Sequence, residues 1–594
     1  MMNLKKYIKL SVLVLFIYSG CAKIGVITGG PKDLDPPKLL KCDPENYSVK
    51  FNKKKIEITF DEFIQLKDFN NEFIISPPTK KKPTTLLKNK TLIVNLPDSL
   101  AENTTYTLSF GNAIADNNEG NVLKDFEYVF STGDELDSMA VAGKVLNAFD
   151  LKIDKDPYFL LLHENLSDSA PFKINPTYVG KTNTQGNFII KNIKEGTYRL
   201  YAIKGGSSNY KYTPVTKAIA FNDSLLYLNH VDIKPQPKRQ KKDTVKLKKP
   251  VLKDANDTAK VKKDTVVILP DYIVFTKLYA FFEKDNKQYI KDSKWIDRRR
   301  LRLGFNISQE DEPEIKPVNF KSEDFFLAEY SPKKDSVSLW IKDSALYKRD
   351  TMTLSVEYYN PYKDKQKIDT IRFSFIEETK NKGKKSKKKK KESNVLKFSI
   401  TNSIINLKEA LSIESTYPVV AIDTARIRLI ETKDSTDKVK HYQLIRDSLC
   451  PRKYYIKYPW DEDLKYKLNI YPGAVSDIYD LGNDTIVNKL TVQKADYYGN
   501  IFINFTNVQM SMIVQLLEKD KIIVQKIVKS GGKVTFDYLQ PKTYNIKVIY
   551  DSNDNGIWDT GDLLNKIQPE KVFFYNDEIK VRSNWDNEVN WKLE

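Results

Sequence analysis

Histidine is scarce in this chain of 594 residues, and its scarcity argues against most catalytic chemistry. The three histidines, His163, His230 and His441, are far apart in the sequence, and none has metal-site spacing or lies near a glycine-flanked nucleophile. Glycine is limited to 22 residues, and no phosphate-binding glycine loop is present. No pair of carboxylates stands out for acid–base hydrolysis. We therefore expect a protein that is not an enzyme and that needs no catalytic cofactor.

Cysteine is equally rare. The chain has three cysteines, and their spacing matches no metal site. Cys42 and Cys450 could pair in an oxidising compartment, but the sequence does not determine whether they do. The third, Cys21, is placed differently, close behind an apolar segment at the N-terminus.

Long apolar runs are also missing, and the run before Cys21 is too short to cross a bilayer. It follows Lys5, Lys6 and Lys9 and ends in small residues, which is the layout of a secretory signal peptide over residues 1–20. The segment Tyr18-Ser19-Gly20-Cys21 resembles a bacterial lipobox. That resemblance implies cleavage before Cys21 and its acylation, so that the mature chain is held in a membrane by its lipid. The alternative is an ordinary secretory signal with a chance cysteine.

The net charge of +19 comes from three segments, and the rest of the chain is close to neutral. Residues 234–264 hold 12 Lys or Arg and 4 Asp, residues 380–392 hold 9 Lys and 1 Glu, and the signal peptide adds three lysines. Both inner segments have low complexity, so we expect disordered linkers at 234–265 and 379–394. Almost no aromatic residues accompany them, and we expect no nucleic-acid partner.

Apolar and polar residues alternate through most of the remaining chain, as in Lys55-Ile56-Glu57-Ile58-Thr59-Phe60. A period of two is typical of strands with one buried face. Long helical periodicity is not evident after the signal peptide. We therefore predict an all-β protein of about four or five domains, built as tandem β-sandwiches joined by lysine-rich linkers.

The first sandwich is expected at residues 35–133, after an extended tether over residues 21–34 that contains Gly29-Gly30-Pro31-Lys32-Asp33. This unit resembles the SbsA-type bacterial immunoglobulin-like domain. The resemblance rests on Pro36-Pro37, Ile56 to Glu62, Asn103 to Leu108, Asp116 with Gly120-Asn121, and Phe130-Ser131-Thr132-Gly133.

A second small sandwich is expected at residues 139–232. It resembles the transthyretin-like regulatory domains of carboxypeptidases through Val141 to Val145, Thr182 to Phe188 and Glu195 to Leu200. Residues 266–378 form a third β-rich unit without a family resemblance.

The last two units repeat the first two. Residues 395–493 echo the immunoglobulin-like unit, with Leu464 to Leu468 matching Thr104 to Leu108 and Asp480 matching Asp116. Residues 496–594 echo the transthyretin-like unit, with Gly532 matching Gly186 and Tyr544 matching Tyr198. The whole order resembles the immunoglobulin-like lipoproteins of Bacteroidota that begin Gly-Gly-Pro-Lys-Asp after the lipid cysteine.

One loop in the last unit has the composition of a calcium site. Asp551, Asn553, Asn555 and Asp559 place oxygen-bearing side chains around a glycine turn, and calcium prefers six to eight oxygen ligands. The loop resembles the first part of an EF-hand loop, without its bidentate glutamate. A bound calcium would be structural. The alternative is an Asx-rich turn that binds nothing.

A short triplet recurs more often than composition predicts. Asp followed by Ser or Thr and then an aliphatic residue or Met occurs at 14 sites. It resembles the O-glycosylation sequon of Bacteroidota, and Thr244, Thr258 and Thr265 in the first basic segment would be the most accessible acceptors. The alternative is that the triplet marks a turn followed by the start of a strand.

Two functions remain open at this level. The first is a non-enzymatic outer-membrane lipoprotein, on the cell surface or the periplasmic face, that serves as a scaffold or accessory subunit beside an outer-membrane barrel or other envelope protein. The second is a cell-surface lipoprotein that binds glycans on exposed rings, since the chain has 34 Tyr and 6 Trp.

Overall fold

The computed structural model describes residues 32–97, 99–164, 166–205, 210–229, 273–322, 324–360, 365–375, 395–400, 403–407, 409–508, 510–529 and 532–593. The expected signal peptide, Cys21, most of the tether, both basic linkers and the three candidate threonines lie outside these residues. The chain divides into two compact units. Unit 1 is Met1–Leu146, Ile153–Thr213 and Ile219–Ala280, and unit 2 is Asn147–Lys152, Pro214–Ala218 and Phe281–Glu594.

Both units are built from short strands packed as sandwiches, which confirms the all-β prediction. Among the described residues, no helix is long and apolar enough to span a membrane.

The first domain of unit 1 has one short helix, α1 (Phe69–Glu72), among short strands. Its strands are β1 (Leu39–Asp43), β2 (Lys55–Phe60), β3 (Ile64–Leu66), β4 (Ile74–Ser76), β5 (Thr84–Lys88), β6 (Thr91–Asn95), β7 (Thr105–Ser109), β8 (Ile114–Asp116), β9 (Val122–Leu123) and β10 (Glu127–Ser131). They form sheets in the orders β1-β2-β6-β5, β10-β7-β4 and β3-β8-β9. Alternation places Ile56, Ile58 and Phe60 of β2 fully in the core between the sheets.

The second domain of unit 1 has one short helix, α2 (Ala170–Lys173). Its strands are β11 (Met139–Asn147), β12 (Tyr158–His163), β13 (Tyr178–Lys181), β14 (Asn187–Ile193), β15 (Gly196–Lys204), β16 (Ile219–Phe221), β17 (Leu226–Leu228) and β18 (Ile273–Ala280). One sheet has the order β14-β11-β18 and the other β13-β12-β15-β16, with β17 also paired to β15.

Strand β18 corrects an expected boundary. We expect residues 266–378 to form the third unit, but Ile273–Ala280 completes the second domain by pairing with β11. The approach is close, because a side chain on Gly143 would overlap the carbonyl oxygen of Thr276. The first basic segment is therefore inserted within the second domain in the sequence, between β17 and β18, and the third domain begins near Phe281.

The third domain packs one sheet of order β19-β20-β23-β22 against another of order β21-β24-β25. Its strands are β19 (Ile290–Asp297), β20 (Arg300–Phe305), β21 (Glu314–Pro317), β22 (Phe326–Tyr330), β23 (Ser336–Ile341), β24 (Thr351–Asn360) and β25 (Lys365–Ser374), and a 3-10 turn covers Ser344–Lys348. In β24 every second residue is buried, from Met352 to Tyr358, so alternation also specifies this core.

The fourth domain repeats the strand order of the first. Its strands are β26 (Phe398–Ile400), β27 (Ile404–Ile405), β28 (Leu411–Ser415), β29 (Val419–Ile422), β30 (Ile427–Lys433), β31 (Thr436–Lys440), β32 (Gln443–Arg446), β33 (Lys453–Lys457), β34 (Lys465–Ile470), β35 (Val475–Asp477) and β36 (Ile486–Val492), with a 3-10 turn at Thr424–Arg426. The order β26-β28-β33-β32 corresponds to β1-β2-β6-β5, and β36-β34-β30 corresponds to β10-β7-β4.

Local contacts also repeat between the first and fourth domains, with one change from the expected match. The hydroxyl of Tyr106 accepts a hydrogen bond from a backbone N–H five residues earlier at 2.8 Å, and the hydroxyl of Tyr466 does the same at 2.9 Å. Asp116, however, corresponds to Asp477 and not to Asp480. Each of these two aspartates ends a short strand and accepts backbone N–H groups from the turn that follows.

The fifth domain repeats the second. Its strands are β37 (Gly499–Thr506), β38 (Met512–Glu518), β39 (Lys521–Val528), β40 (Lys533–Leu539), β41 (Thr543–Tyr550), β42 (Val572–Phe574), β43 (Ile579–Lys580) and β44 (Asp586–Lys592), after a 3-10 turn at Ala495–Tyr497. The orders β40-β37-β44 and β39-β38-β41-β42 match those of the second domain strand for strand, and β43 pairs with β41 as β17 pairs with β15.

The same irregularity interrupts the matching strand pairs of these two domains. Pairing shifts between Met139 and Val141 in one and between Gly499 and Ile501 in the other. A shared β-bulge and a shared strand order support the duplication read from the sequence.

Candidate functional sites

The histidines do not form a site within the described residues. His163 lies in β12 with 1% of its surface exposed, and burial lowers its pKa to about 4. Its ring packs edge-on against Tyr201 at 5.7 Å between ring centroids. It is a core residue of a strand, held neutral by its surroundings. His441 is far from it in sequence, and His230 lies outside the described residues.

The described residues contain no group of three or more His, Cys, Asp or Glu side chains arranged to hold a metal ion. Cys42 and Cys450 are both free thiols, and burial raises the pKa of each to about 11. Such thiols are poor nucleophiles at neutral pH.

The predicted calcium loop follows β41, and its side chains do come together. Both carboxylate oxygens of Asp551 accept backbone hydrogen bonds, from Asn555 at 3.1 Å and from Gly556 at 2.9 Å. The side-chain amides of Asn553 and Asn555 both donate to one oxygen of Asp559, each at 2.6 Å. The four predicted residues therefore meet around one turn.

The polar groups of this loop form hydrogen bonds with other groups of the protein. Glu570 accepts from the backbone and hydroxyl of Ser552, at 2.7 and 2.8 Å, and from the backbone of Asp559 at 3.0 Å. These contacts describe a hydrogen-bonded Asx-rich turn. A calcium ion here would require the two asparagine amides to turn their oxygens towards the Asp559 carboxylate, which the similar shape of the two amide orientations allows. The calcium site therefore stays a prediction.

Three of the triplets on described residues form turns, whereas Asp369-Thr370-Ile371 lies within β25. Asp343, Asp423 and Asp447 each accept a backbone hydrogen bond from the residue two positions later, at 2.9, 3.0 and 2.9 Å. In each case the aspartate begins a turn, which is the alternative explanation of the pattern. Modification at Thr244, Thr258 and Thr265 stays a prediction.

The tryptophans do not form an exposed row. Trp340 is buried with 2% of its surface exposed, while Trp585 is more than half exposed. Trp460 packs edge-on against Tyr458 and Tyr466. This arrangement gives no specific support to the glycan-binding alternative, which needs neighbouring exposed rings.

A buried joint connects the first and second domains. Lys181 donates to the Glu72 carboxylate and to the Asn71 carbonyl, each at 2.9 Å, and its ammonium and that carboxylate are about four-fifths buried. Beside this pair, the Val179 backbone N–H donates to the hydroxyl of Ser76 at 3.0 Å. Burial alone would raise the pKa of Glu72, but its hydrogen bonds outweigh burial and lower it.

A second set of contacts extends the same joint. Lys191 pairs with Glu127 at 3.0 Å, and the amide of Asn192 donates to the hydroxyl of Thr107 at 2.8 Å. The first domain thereby covers the open edge of the second domain, where β13 and β14 end their sheets.

A tighter joint connects the third and fourth domains. The Arg452 guanidinium forms two parallel hydrogen bonds with Glu329, at 2.8 and 2.9 Å, and Trp340 donates to the same carboxylate at 2.6 Å. Only 18% and 13% of the Arg452 and Glu329 side chains are exposed. Burial would raise the pKa of Glu329, but Arg452 and Trp340 outweigh burial and lower it.

An aromatic cluster completes this joint. The Arg299 guanidinium of the third domain lies 4.4 Å from the ring centre of Tyr479 and 5.1 Å from that of Tyr417, both in the fourth domain. The ring centre of Tyr347, in the third domain, lies 5.6 Å from the same guanidinium. A bidentate ion pair and a cation–π cluster together fix the orientation of the two domains. Neither was foreseen from the sequence, because each joins residues that are more than a hundred positions apart.

Comparison with known proteins supports part of the sequence interpretation. Residues 33–132 match the family model described as a bacterial Ig-like domain, which agrees with the resemblance drawn from the motifs of the first domain. The match covers less than half of the chain. No curated protein matches it.

Several solved structures resemble the chain weakly. The major pilin subunit BcpA of Bacillus cereus is 10% identical over 76% of this chain and 98% of the pilin, with a TM-score of 0.13. The S-layer protein SbsC is 11% identical over 91% of this chain and 66% of its own, with a TM-score of 0.13. Latent PorU of Porphyromonas gingivalis is 10% identical over 55% and 36%, with a TM-score of 0.17. Scores this low carry no argument about function.

Proposed function

We propose that this chain is a non-enzymatic structural lipoprotein of the outer membrane, anchored through Cys21, in which joined β-sandwiches present a binding surface to a partner. The observation that carries the proposal is the pair of buried joints, one centred on Glu72 and Lys181 and the other on Glu329 and Arg452. A spacer has to keep its domains in fixed orientation, and buried, geometrically specific contacts between consecutive domains do this.

The family match supports the same reading for the first domain, since an Ig-like sandwich is a common building block of surface and adhesive proteins. The proposed partner is an outer-membrane barrel or another envelope protein, in a complex for membrane protein assembly or transport. Fold alone does not identify this complex, so the partner has to be found by experiment.

The test is a pull-down of the full chain with a C-terminal tag from membranes solubilised in mild detergent, followed by mass spectrometry. A Cys21→Ser variant is the matched control. The proposal predicts that the wild-type chain is found in the membrane fraction with a stoichiometric envelope protein, and that the variant leaves the membrane fraction. Recovery of the wild-type chain alone would contradict the accessory function and favour glycan binding.

A further inference from the structure

The fifth domain exposes an edge that its sister domain keeps covered. In the second domain the edge strand β13 has four residues, and Val179 at its centre is 3% exposed beneath the first domain. The matching strand β39 has eight residues, most of them exposed. Ile522, Ile523 and Ile527 are 42%, 40% and 52% exposed.

The two strands correspond residue by residue. Val179 of β13 pairs with Leu161 of β12, and Gln525 of β39 pairs with Gln515 of β38. Leu161 and Gln515 are equivalent, because each lies opposite an equivalent residue of the next strand in its sheet. On the other sheet, Asn192 and Tyr538 share a left-handed backbone conformation at the matching bulge, with φ of 58° and 55°. The exposed edge is therefore the counterpart of the edge that the first domain covers.

The fourth domain does not cover the β39 edge in the way that the first domain covers β13. In the described residues it contacts the fifth domain near Tyr498, whose hydroxyl donates to the Asn406 side chain at 2.9 Å, and through Lys494, which pairs with Asp463 at 3.2 Å. Within the described part of the chain, β39 forms ladder hydrogen bonds only with β38. An exposed edge with free N–H and C=O groups is a template for a further strand.

Charge indicates the chemistry of that strand. A cleft of about 460 Å³ lies beside β39, lined by Ile527, Val528, Val534, Thr535 and the three lysines Lys526, Lys529 and Lys533. No carboxylate among the described residues pairs with these lysines. Lys526 donates to the Thr535 carbonyl at 2.5 Å, and Lys533 lies over the ring of Phe502.

Like charges disfavour the occupants that this chain itself could supply. A second copy paired edge to edge would bring the same lysines to the cleft, and lysine on an edge strand deters such pairing. The two basic segments of the chain would also be repelled. In the second domain, by contrast, the covering surface brings Glu72 and Glu127 to Lys181 and Lys191.

We infer that β39 is a docking edge for an extended, acidic segment of a partner protein, which adds a strand to the sheet while its carboxylates meet Lys526, Lys529 and Lys533. The inference deepens the proposed scaffold function, on which it rests, by naming the surface and the chemistry of the partner. The branched side chains of β39 would contact apolar residues that alternate with the acidic ones.

The test uses the full chain without its signal peptide and two labelled peptides of about eight residues, the length of β39. One peptide alternates valine with glutamate, and the other has lysine in place of glutamate. Fluorescence anisotropy gives the Kd, and hydrogen exchange locates the peptide. We expect the acidic peptide to bind at least about tenfold more tightly than the basic one, and to slow exchange of the amides of Lys521–Val528.

The variant Lys529→Glu with Lys533→Glu should weaken binding of the acidic peptide by at least about tenfold. The matched control is Lys571→Glu with Lys580→Glu, which changes the same charge at the opposite edge of the same sheet and should leave the Kd unchanged. No binding of the acidic peptide, equal binding of both peptides, equal affinity of the two variants, or protection of another segment would overturn the inference.

The same variants separate this inference from the proposed function. If the Lys529→Glu, Lys533→Glu chain captures the same envelope partner as the wild type in equal yield, the docking edge is wrong and the scaffold function stands. If neither chain captures a partner but the acidic peptide binds at β39, the edge stands and the proposed accessory function fails.

Discussion

At the scale of single residues, the first and fourth domains show how local surroundings determine the pKa of matching aspartates. Asp116 accepts three backbone N–H groups, and although burial would raise its pKa, these hydrogen bonds lower it. Asp477 occupies the matching position with two such bonds, and there burial prevails and raises the pKa. Sequence alone aligned Asp116 with Asp480, because both aspartates precede a Gly-Asn pair, although the glycine lies four residues after Asp116 and only two after Asp480.

The Glu329–Arg452 pair should dominate the stability of the joint between the third and fourth domains. We expect Glu329→Gln to cost about 3 kcal/mol, because it leaves the Arg452 charge buried without its partner. Urea unfolding followed by tryptophan fluorescence, to which Trp340 beside the pair contributes, measures this cost. Glu314→Gln, on the surface of the third domain, is the control and should have little effect.

The pH dependence of this pair follows from the sign of the shift. The lowered pKa of Glu329 means that its stabilisation is present above the ordinary glutamate pKa and is lost as the pH falls through the folded value. Wild type should therefore lose stability on acidification more steeply than Glu329→Gln. Parallel acid profiles for the two proteins would contradict this assignment.

Lys547 is a second residue whose pKa, and therefore whose contribution to stability, is determined by its surroundings. It is 2% exposed in β41, burial lowers its pKa to about 8, and its ammonium lies 3.1 Å from the Phe149 ring centre and 5.9 Å from that of Phe574. No carboxylate of the described residues lies within ion-pair distance of it, and the charge of Asp150 offsets only part of the effect of burial on its pKa. Lys547→Met should raise the free energy of unfolding by about 2 kcal/mol near neutral pH, because a buried charge is replaced by an apolar group of similar size.

The pH dependence of the free energy of unfolding tests whether the Lys547 ammonium is buried. Because the folded state binds fewer protons than the unfolded state between the two pKa values, wild-type stability should rise with pH from about 8 to about 10.5. Lys547→Met should remove this rise, whereas the exposed Lys571→Met should keep it. An unchanged profile in Lys547→Met would show that the lysine is solvated.

At the scale of elements, alternation predicted a chain built of half-buried strands but could not assign every strand to its domain. The pattern of β2 and β24 is explicit in the sequence, and their burial follows it. Strand β18 falls within the expected third unit, because a basic segment separates it from the rest of its sheet in the sequence. The fifth domain carries the corresponding strand β44 directly after β43, so aligning the two repeats strand by strand would have corrected the boundary.

Gly143 gives a direct test of β18 as part of the second domain. Gly143→Val should displace β18, because the new side chain would overlap the Thr276 carbonyl. Hydrogen exchange of Ile273–Ala280 should become faster in this variant. Gly205→Asn is the control, since apart from its chain neighbours no atom of the described residues lies within 4 Å of a Cβ added there, and asparagine tolerates its φ of 70°. Unchanged protection of β18 in Gly143→Val would contradict the sheet order.

The loop after β41 gives the test for calcium. We expect calcium to raise the unfolding temperature of the wild-type chain, because an ion bound only by the folded state stabilises it. Asp559→Ala should abolish the increase by removing the carboxylate on which Asn553 and Asn555 converge. Asp577→Ala, outside the loop, should keep it. If the wild-type chain has the same unfolding temperature with calcium as with a chelator, the loop is an Asx-rich turn that binds no calcium.

At the scale of the whole molecule, the proposed spacer function depends on how consecutive domains are joined. The duplicated order of sandwiches could be read from the sequence, because local motifs repeat along the chain. The joints could not, since Glu329 and Arg452 or Glu72 and Lys181 are brought together only by tertiary structure. The same limit applies to the exposed edge β39, whose importance emerges only when it is compared with the covered edge β13.

The most direct test of the central claim is a distance distribution measured across the joint of the third and fourth domains. Spin labels carried by non-natural residues at the exposed positions Glu314 and Lys438 would leave Cys42 and Cys450 unchanged. The account predicts one narrow distribution for the wild-type chain and a broad one for Glu329→Gln. A broad distribution in the wild type would contradict the claim that these domains form a rigid structural spacer.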